Sequence, residues 1–121
     1  MIRHATRAAG LSKFRRARVG AVVAKGERIL STGCNRIGYS RVLPNRPFPE
    51  SIHAEQAAII KLLQEKRLND LVNSTIYVSR IGRDGLPRLA APCEVCRSLI
   101  DAVGISEVVY TTDNGTASYQ L

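Results

Sequence analysis

The sequence has 121 residues, 45% of them hydrophobic, and a formal net charge of +8 at pH 7. This length predicts one domain over residues 1–121, and the apolar content excludes an intrinsically disordered chain. No stretch reaches the apolar length of a membrane helix, and the first residues lack the apolar core of a secretory signal. Because the three cysteines also disfavour a disulfide framework, we expect a cytoplasmic protein.

The positive charge is concentrated in the first part of the chain. Residues 1–49 hold eleven Lys or Arg and one acidic residue, whereas residues 50–121 hold seven basic and nine acidic residues. This asymmetry favours a phosphate-bearing partner, either a nucleotide or a polynucleotide. The alternative is a solvated basic face that only aids solubility.

The order of predicted elements indicates an α/β fold. Apolar residues at helical spacing predict helices, and short β-branched runs predict strands. In chain order these are a helix over 2–11, a hairpin of Val19–Ala24 and Ile29–Asn35, a helix over Ala54–Arg67, a strand over Thr75–Ser79, a helix over Cys93–Val103, and strands over Glu107–Thr111 and Thr116–Leu121. Two irregular segments, 36–52 and 80–91, separate them. We therefore expect a mixed five-stranded sheet that opens with a β-hairpin, with helices packed on its faces.

Two short motifs, each at the predicted start of a helix, contain residues that can bind a metal. The first is H-A-E at residues 53–55, and the second is P-C-E-V-C at residues 92–96. Cys93 and Cys96 are three residues apart, so both sulfurs project from one helix face, and the helix N-terminus favours the metal-binding thiolate. Two cysteines and His53 leave one tetrahedral position of a zinc ion open, which is typical of catalytic zinc.

Glu55 indicates that this predicted zinc site is catalytic. It lies two residues after His53, so it can point toward the open position without binding the metal. Zinc lowers the pKa of bound water to near neutrality, and a nearby carboxylate can then transfer the proton to the substrate.

Together the two motifs resemble the signature of the cytidine and deoxycytidylate deaminase superfamily, H-x-E followed by P-C-x-x-C. The resemblance covers most of the chain, because the hairpin and the strand after each helix follow the family's order. It implies the three-layer α-β-α deaminase-like fold, zinc held by His53, Cys93 and Cys96, and proton transfer by Glu55. The implied reaction replaces the amino group at C4 of cytosine with oxygen and releases ammonia.

Further residues are predicted to contact the substrate. The G-C-N segment at residues 33–35 resembles the family segment whose asparagine contacts the sugar, which implies this role for Asn35. Ala54 and Pro92 lie beside the metal ligands, and the backbone there should hold the ring. Phe48, between two prolines, is a candidate for stacking on the base. Arg36 and two other arginines of the 36–52 segment either bind phosphate or keep the segment solvated.

Two non-catalytic interpretations compete with this one. A structural zinc would need a fourth protein ligand, for which Cys34 is the candidate, and it would not need Glu55. A nucleotide-binding or scaffold protein on the same fold would not need Glu55 either.

The substrate is the least determined part of the prediction. The histidine before A-E and the basic first half resemble the nucleotide and polynucleotide branches. Only eleven residues follow Tyr110, fewer than the polynucleotide enzymes append, and the D-N-G turn at 113–115 resembles the free-cytidine branch. We favour a cytosine-bearing nucleotide such as dCMP, with cytosine or adenine in single-stranded DNA or tRNA, and free cytidine, as alternatives. The short loops lead us to expect a homo-oligomer.

Overall fold

The computed structural model describes residues 1–14, 17–38 and 50–121, with the backbone alone at 38, 50 and 51. The helices are α1 (Ile2–Ala9), α2 (Ala54–Gln64), α3 (Leu68–Leu71) and α4 (Glu94–Ala102). The strands are β1 (Arg18–Lys25), β2 (Arg28–Cys34), β3 (Arg36–Gly38), β4 (Glu50–Ile52), β5 (Thr75–Ile81), β6 (Pro87–Arg88), β7 (Glu107–Thr112) and β8 (Gly115–Gln120). Across the three described ranges, no helix is long and apolar enough to cross a membrane.

The main sheet is mixed and opens with a hairpin, as predicted. Its strand order is β2-β1-β5-β7-β8, and β6 pairs with β5 as a short sixth strand that was not predicted. Only the β5–β7 pairing is parallel among the pairings of the described residues, and β8 runs antiparallel to β7. The turn at 113–115 therefore sets the direction of the last strand.

The sheet is covered on both faces, which gives three layers. Val22 and Ala24 of β1 pack with Ala5 of α1 on one face. The alternate residues Ala21 and Val23 pack on the other face, in a cluster with buried residues of α2 and α4. Because successive strand residues point to opposite faces, a single strand contributes to both cores.

The backbone of α2 lies directly on β2 at Gly33. A Cβ atom added at Gly33 would lie 2.7 Å from the nitrogen of Ala58 and 2.8 Å from the carbonyl oxygen of Ala54. The Ser31 hydroxyl also donates to the Ala58 carbonyl at 2.8 Å. Only glycine permits this approach, so β2 fixes the position of the first turns of α2.

On the opposite face, α1 supports β1 and β5. Gly20 of β1 lies against the backbone of α1 at Ala5 and Ala9, where a side chain would not fit. The hydroxyl groups of Thr6 and Ser79 are hydrogen bonded at 2.7 Å, which ties α1 to β5.

Several predicted boundaries need correction. The helix expected to reach Arg67 ends at Gln64, because Lys66 adopts the left-handed conformation with φ of 58°. The first irregular segment contains the ribbon β3–β4, and its residues 39–49 lie outside the described ranges. The second contains the end of β5 and all of β6, where Arg80 pairs with Arg88. Pairing with distant strands is not visible in the local residue pattern.

Candidate active site

The two predicted motifs meet where α2 and α4 begin. His53 is the residue before α2, Cys93 is the residue before α4, and Cys96 is the third residue of α4. The Nδ1 atom of His53 lies 3.2 Å from the Sγ atom of Cys96 and 3.6 Å from that of Cys93. All three candidate ligand atoms lie within 4.8 Å of one another.

These three side chains fit a tetrahedral zinc ion. Zinc bonds of about 2.3 Å to sulfur and 2.0–2.1 Å to nitrogen place the two donors roughly 3.6 Å apart in a tetrahedral arrangement. The two distances from His53 are close to this value. Cys34 is not part of the group among the described residues, so the fourth ligand that a structural zinc would need is not supplied by that cysteine.

The electrostatic environment of Cys96 corrects one expectation. Burial raises the pKa of the Cys96 thiol, and the neighbouring Glu55 and Cys93 raise that pKa further. The predicted preference for thiolate at a helix N-terminus is therefore outweighed at this buried position. A bound divalent cation reverses this balance, since thiols that coordinate a metal are deprotonated.

The start of α2 is held by a local hydrogen bond. The backbone N–H of His53 donates to the Oε1 atom of Gln56 at 3.0 Å, and Gln56 is buried. The N–H of Ala57 donates to the carbonyl of His53 at 2.9 Å. The residue that caps the helix is thus also a candidate metal ligand, and the capping contact orients its backbone.

Glu55 lies beside the metal-binding group and is 4% exposed. Burial raises the pKa of its carboxyl group, against the opposing effects of its own backbone N–H, His53 and Cys96. A raised pKa makes the carboxylate a stronger base than that of an ordinary glutamate, which suits a group that takes up protons during a reaction.

A cavity of about 300 Å³ connects these groups. Its volume is at the lower end of the range for small-molecule sites. Its lining residues are Ala17, Val19, Asn35, His53, Ala54, Glu55, Arg80, Leu89, Ala90, Ala91 and Cys93. The arrangement therefore places a buried carboxyl and two candidate metal ligands on one small-molecule cavity.

Comparison with known proteins identifies the family. A family model described as the cytidine and deoxycytidylate deaminase zinc-binding region matches residues 1–112. The chain belongs to the cytidine and deoxycytidylate deaminase family. It is 31% identical to a deoxycytidylate deaminase of Mycobacterium phage D29, over 91% of this chain and 90% of that relative.

Solved structures of deaminases share the fold. The dCMP deaminase of cyanophage S-TIM5 aligns with a TM-score of 0.66 and 27% identity, over 90% of this chain and 77% of that one. A cytidine deaminase from Burkholderia pseudomallei aligns with a TM-score of 0.70 over 98% of this chain and 88% of that one, and at 21% identity it supports the fold alone. The predictions of the superfamily, of the fold class and of a hydrolytic deaminase are confirmed.

Asn35 lines the cavity of this deaminase, and its side chain is bonded to the backbone. Its Oδ1 atom accepts from the N–H of Val19 at 3.0 Å, and its Nδ2 atom donates to the carbonyl of Ala17 at 2.6 Å. Both contacts hold the strand end that forms one wall of the cavity. The contact with the sugar that the family resemblance implies stays a prediction.

Two residues predicted to bind substrate, Arg36 and Pro92, are not among the described residues that line this cavity. Arg36 is exposed and lines a separate depression with Lys61, so its contact with the substrate stays a prediction. Pro92 is buried and borders another depression beside Arg97, although its neighbour Cys93 reaches the cavity. Successive residues of extended backbone project to opposite sides, which separates these neighbours. Phe48 lies outside the described residues.

The main residue that sequence reasoning missed is Arg80. On β5 the inward positions are Ile76 and Val78, and Arg80 continues this alternation at the end of the strand. An arginine at an inward position of a buried strand was a detectable signal, because such positions are normally apolar. It was missed because the strand was expected to end at Ser79.

Proposed function

We propose that the protein catalyses the hydrolytic deamination of a cytosine-bearing nucleotide, with dCMP as the first candidate, to give the uracil product and ammonia. The observation that carries the proposal is the buried Glu55 beside the His53–Cys93–Cys96 group, with Glu55, His53 and Cys93 lining one cavity. The similarity to a deoxycytidylate deaminase over most of both chains supports the nucleotide as substrate.

His53, Cys93 and Cys96 would hold the zinc ion of this site. Their donor types and separations fit zinc, and the family is defined by a zinc-binding region. When bound, zinc supplies a water molecule acidic enough to act as a nucleophile near neutral pH.

Glu55 would carry the protons of the reaction. Water adds its oxygen to C4 of cytosine and loses both of its protons in turn, and the carboxylate of Glu55 takes up each of them. Glu55 delivers one proton to the adjacent ring nitrogen, which becomes the N–H of the uracil product, and one to the departing amine. The bond between C4 and the exocyclic nitrogen breaks, and ammonia leaves.

Free cytidine is a second candidate substrate. The antiparallel β8 agrees with the likeness to the free-cytidine branch noted at the 113–115 turn. The two candidates differ by a phosphate group, so a direct comparison of substrates separates them.

We also propose that the protein works as a homo-oligomer. Leu86, Leu89 and Val95 are 56%, 55% and 48% exposed, and Leu89 lines the cavity itself. Exposed apolar side chains are typical of surfaces that a second chain covers. The cytoplasmic location stays a prediction.

The test is ammonia release by zinc-loaded protein from dCMP, dCTP, cytidine, single-stranded DNA and tRNA. We expect turnover of dCMP, and Glu55→Gln should retain zinc and fold while turnover falls by about 10²–10⁴-fold, the usual contribution of a general acid–base group. Glu65→Gln makes the same chemical change at an exposed residue that follows α2, and it should keep wild-type activity.

Three outcomes would contradict this proposal. Full activity of Glu55→Gln would remove the assigned proton carrier. Turnover of polynucleotides alone would overturn the choice of substrate. Zinc-loaded, folded protein that releases ammonia from none of the five substrates would overturn the enzymatic function.

A further inference from the structure

Arg80 places a positive charge at the active-site cavity. It stands at the carboxyl end of β5, on the same sheet face as Ile76 and Val78, which pack in the core with α2 and α4. Its side chain lines the cavity together with Glu55 and Asn35. The proposed reaction leaves this residue without a role.

The backbone of Arg80 is held by strands on two sides. Its cross-strand partners are Val19 in β1 and Arg88 in β6. Its N–H donates to the Thr111 hydroxyl at 3.0 Å, and that hydroxyl donates to the carbonyl of Arg88 at 2.8 Å. The origin of the side chain is therefore fixed, which suits a residue that positions a ligand.

The guanidinium group of Arg80 has unused binding capacity. Its Nε atom is buried and has no hydrogen-bond partner within the described part of the chain. Arg88, directly opposite on β6, already donates to Asp84 at 2.8 Å. Two like charges in a cross-strand pair are unfavourable, and an anion near Arg80 would relieve that repulsion.

A second depression of about 400 Å³ adjoins the cavity, and Arg80 and Leu89 line both. Its other charged lining residues are Arg83, Asp84, Arg88 and Asp113. Asp84 already accepts hydrogen bonds from Arg88 and, at 3.0 Å, from the N–H of Leu86. Its carboxylate is therefore less free than that of Asp113 to neutralise Arg80 or Arg83. The three arginines outnumber the two carboxylates, so the depression favours an anion.

We propose that Arg80 binds the 5′-phosphate of a nucleotide whose base occupies the cavity beside Glu55, and that it is the residue that favours nucleotide over nucleoside. This inference rests on the proposed deamination. The shared lining by Arg80 gives a path from the base-sized cavity into the positive depression. The planar guanidinium offers two parallel N–H donors that match two phosphate oxygens.

The experiment compares kcat/KM for dCMP and for deoxycytidine in wild type, Arg80→Ala, Arg80→Lys and Arg28→Ala. We expect Arg80→Ala to lower the ratio of the dCMP value to the deoxycytidine value by about 10- to 100-fold, through a higher KM for dCMP. Arg80→Lys keeps the positive charge but lacks the two parallel N–H donors, so its ratio should lie between those of wild type and Arg80→Ala. Arg28→Ala removes the same charge at the opposite end of the β1–β2 hairpin and should keep the wild-type ratio.

A second measurement separates the role of Arg80 from the success of the proposed reaction. Calorimetry on the zinc-loaded protein compares the binding of dUMP and deoxyuridine, which needs no turnover. Wild type should bind dUMP more tightly, and Arg80→Ala should lose most of that preference.

The proposal is overturned if wild type binds both ligands equally, or if Arg80→Ala weakens both to the same extent. The melting temperature and zinc content of each variant identify any change that is due to misfolding. If wild type prefers dUMP but releases no ammonia from any substrate, the deamination fails while the assignment of Arg80 survives.

Discussion

The active-site cavity has a helix side and a strand side, and the two are held by different kinds of contact. On the helix side, His53 is fixed by Gln56, three residues further along the chain. On the strand side, Asn35 bonds to residues 16 and 18 positions away, and Arg80 to one 31 positions away. The helix side is thus organised locally, whereas the strand side depends on the register of the whole sheet.

This difference suggests that substitutions on the two sides of the cavity have different consequences for activity and stability. A change at a helix tip should remove a chemical group and leave the fold intact. A change at a strand end should loosen the packing that positions several groups at once. The variants below test that distinction, beginning with the largest effect.

The largest effect is expected at Cys96 on the helix side. Cys96→Ser should weaken zinc binding by more than about 100-fold, because loss of a contact that merely supports a ligand already costs roughly 10–100-fold, and turnover should be lost with the metal. The far-UV circular dichroism spectrum should match that of wild type. Zinc content after competition with a chelator, and ammonia release, measure the two effects.

Cys34→Ser is the matched control for Cys96. Cys34 lies outside the group of candidate ligands, so this variant should keep both zinc and activity. Loss of zinc in Cys34→Ser would support the structural four-ligand site instead. Tight zinc binding by Cys96→Ser would contradict the assigned ligand set.

Gly33→Ala tests the docking of α2 on β2. The added methyl group would lie 2.7 Å from the nitrogen of Ala58, so the helix must move, and overpacking of this kind typically costs about 1–3 kcal/mol of unfolding free energy. Because α2 carries Glu55 and follows His53, zinc affinity should fall in the same variant. Urea unfolding and zinc titration provide the measurements.

Gly10→Ala makes the same change at an exposed helix end, where φ is −62° and the nearest atom would be 3.3 Å away. Its stability should change by less than about 1 kcal/mol in either direction. Equal losses in the two glycine variants would show that the close approach of α2 to β2 is unimportant.

Asn35→Ala should destabilise the fold less than Gly33→Ala does. It removes two hydrogen bonds to the backbone of Ala17 and Val19, which should cost about 1–2 kcal/mol of unfolding free energy. Asn69→Ala, at an exposed position of α3, should change stability by less than about 0.5 kcal/mol. Urea unfolding of both variants, together with the KM for dCMP, distinguishes a role of Asn35 in holding the strand end from a role in binding the substrate. Unchanged stability with a raised KM would favour the sugar contact implied by the family resemblance.

The helix side could be predicted from sequence because its geometry is local. Cys93 is the residue before α4 and Cys96 is its third residue, and Glu55 is two residues after His53, the residue before α2, so each pair is placed by one short stretch of chain. The motifs could not show how deeply each of these side chains is buried. The burial that raises the pKa of the Cys96 thiol depends on packing by distant parts of the chain.

The strand side was harder to predict because it also depends on contacts between residues that are distant in the chain. The order of the main elements followed from periodicity, but the pairings that extend β5 to Ile81 and create β6 join residues whose local sequence resembles a loop. Sequence alone left open whether Arg36 binds phosphate or is only solvated, because the side that a strand residue faces is set by register. Arg80, which does line the cavity, lies beyond the expected end of its strand.

The hydrogen bond between Thr6 and Ser79 gives the first helix a role that its own residues do not suggest. A β-sheet is one residue thick, so a contact that holds Ser79 from behind also limits the movement of Arg80 in front. Residues 2–9 do not line the cavity, yet they support the sheet from the face opposite to it. Loosening this helix would therefore make the positions of the active-site side chains less precise without removing any of them.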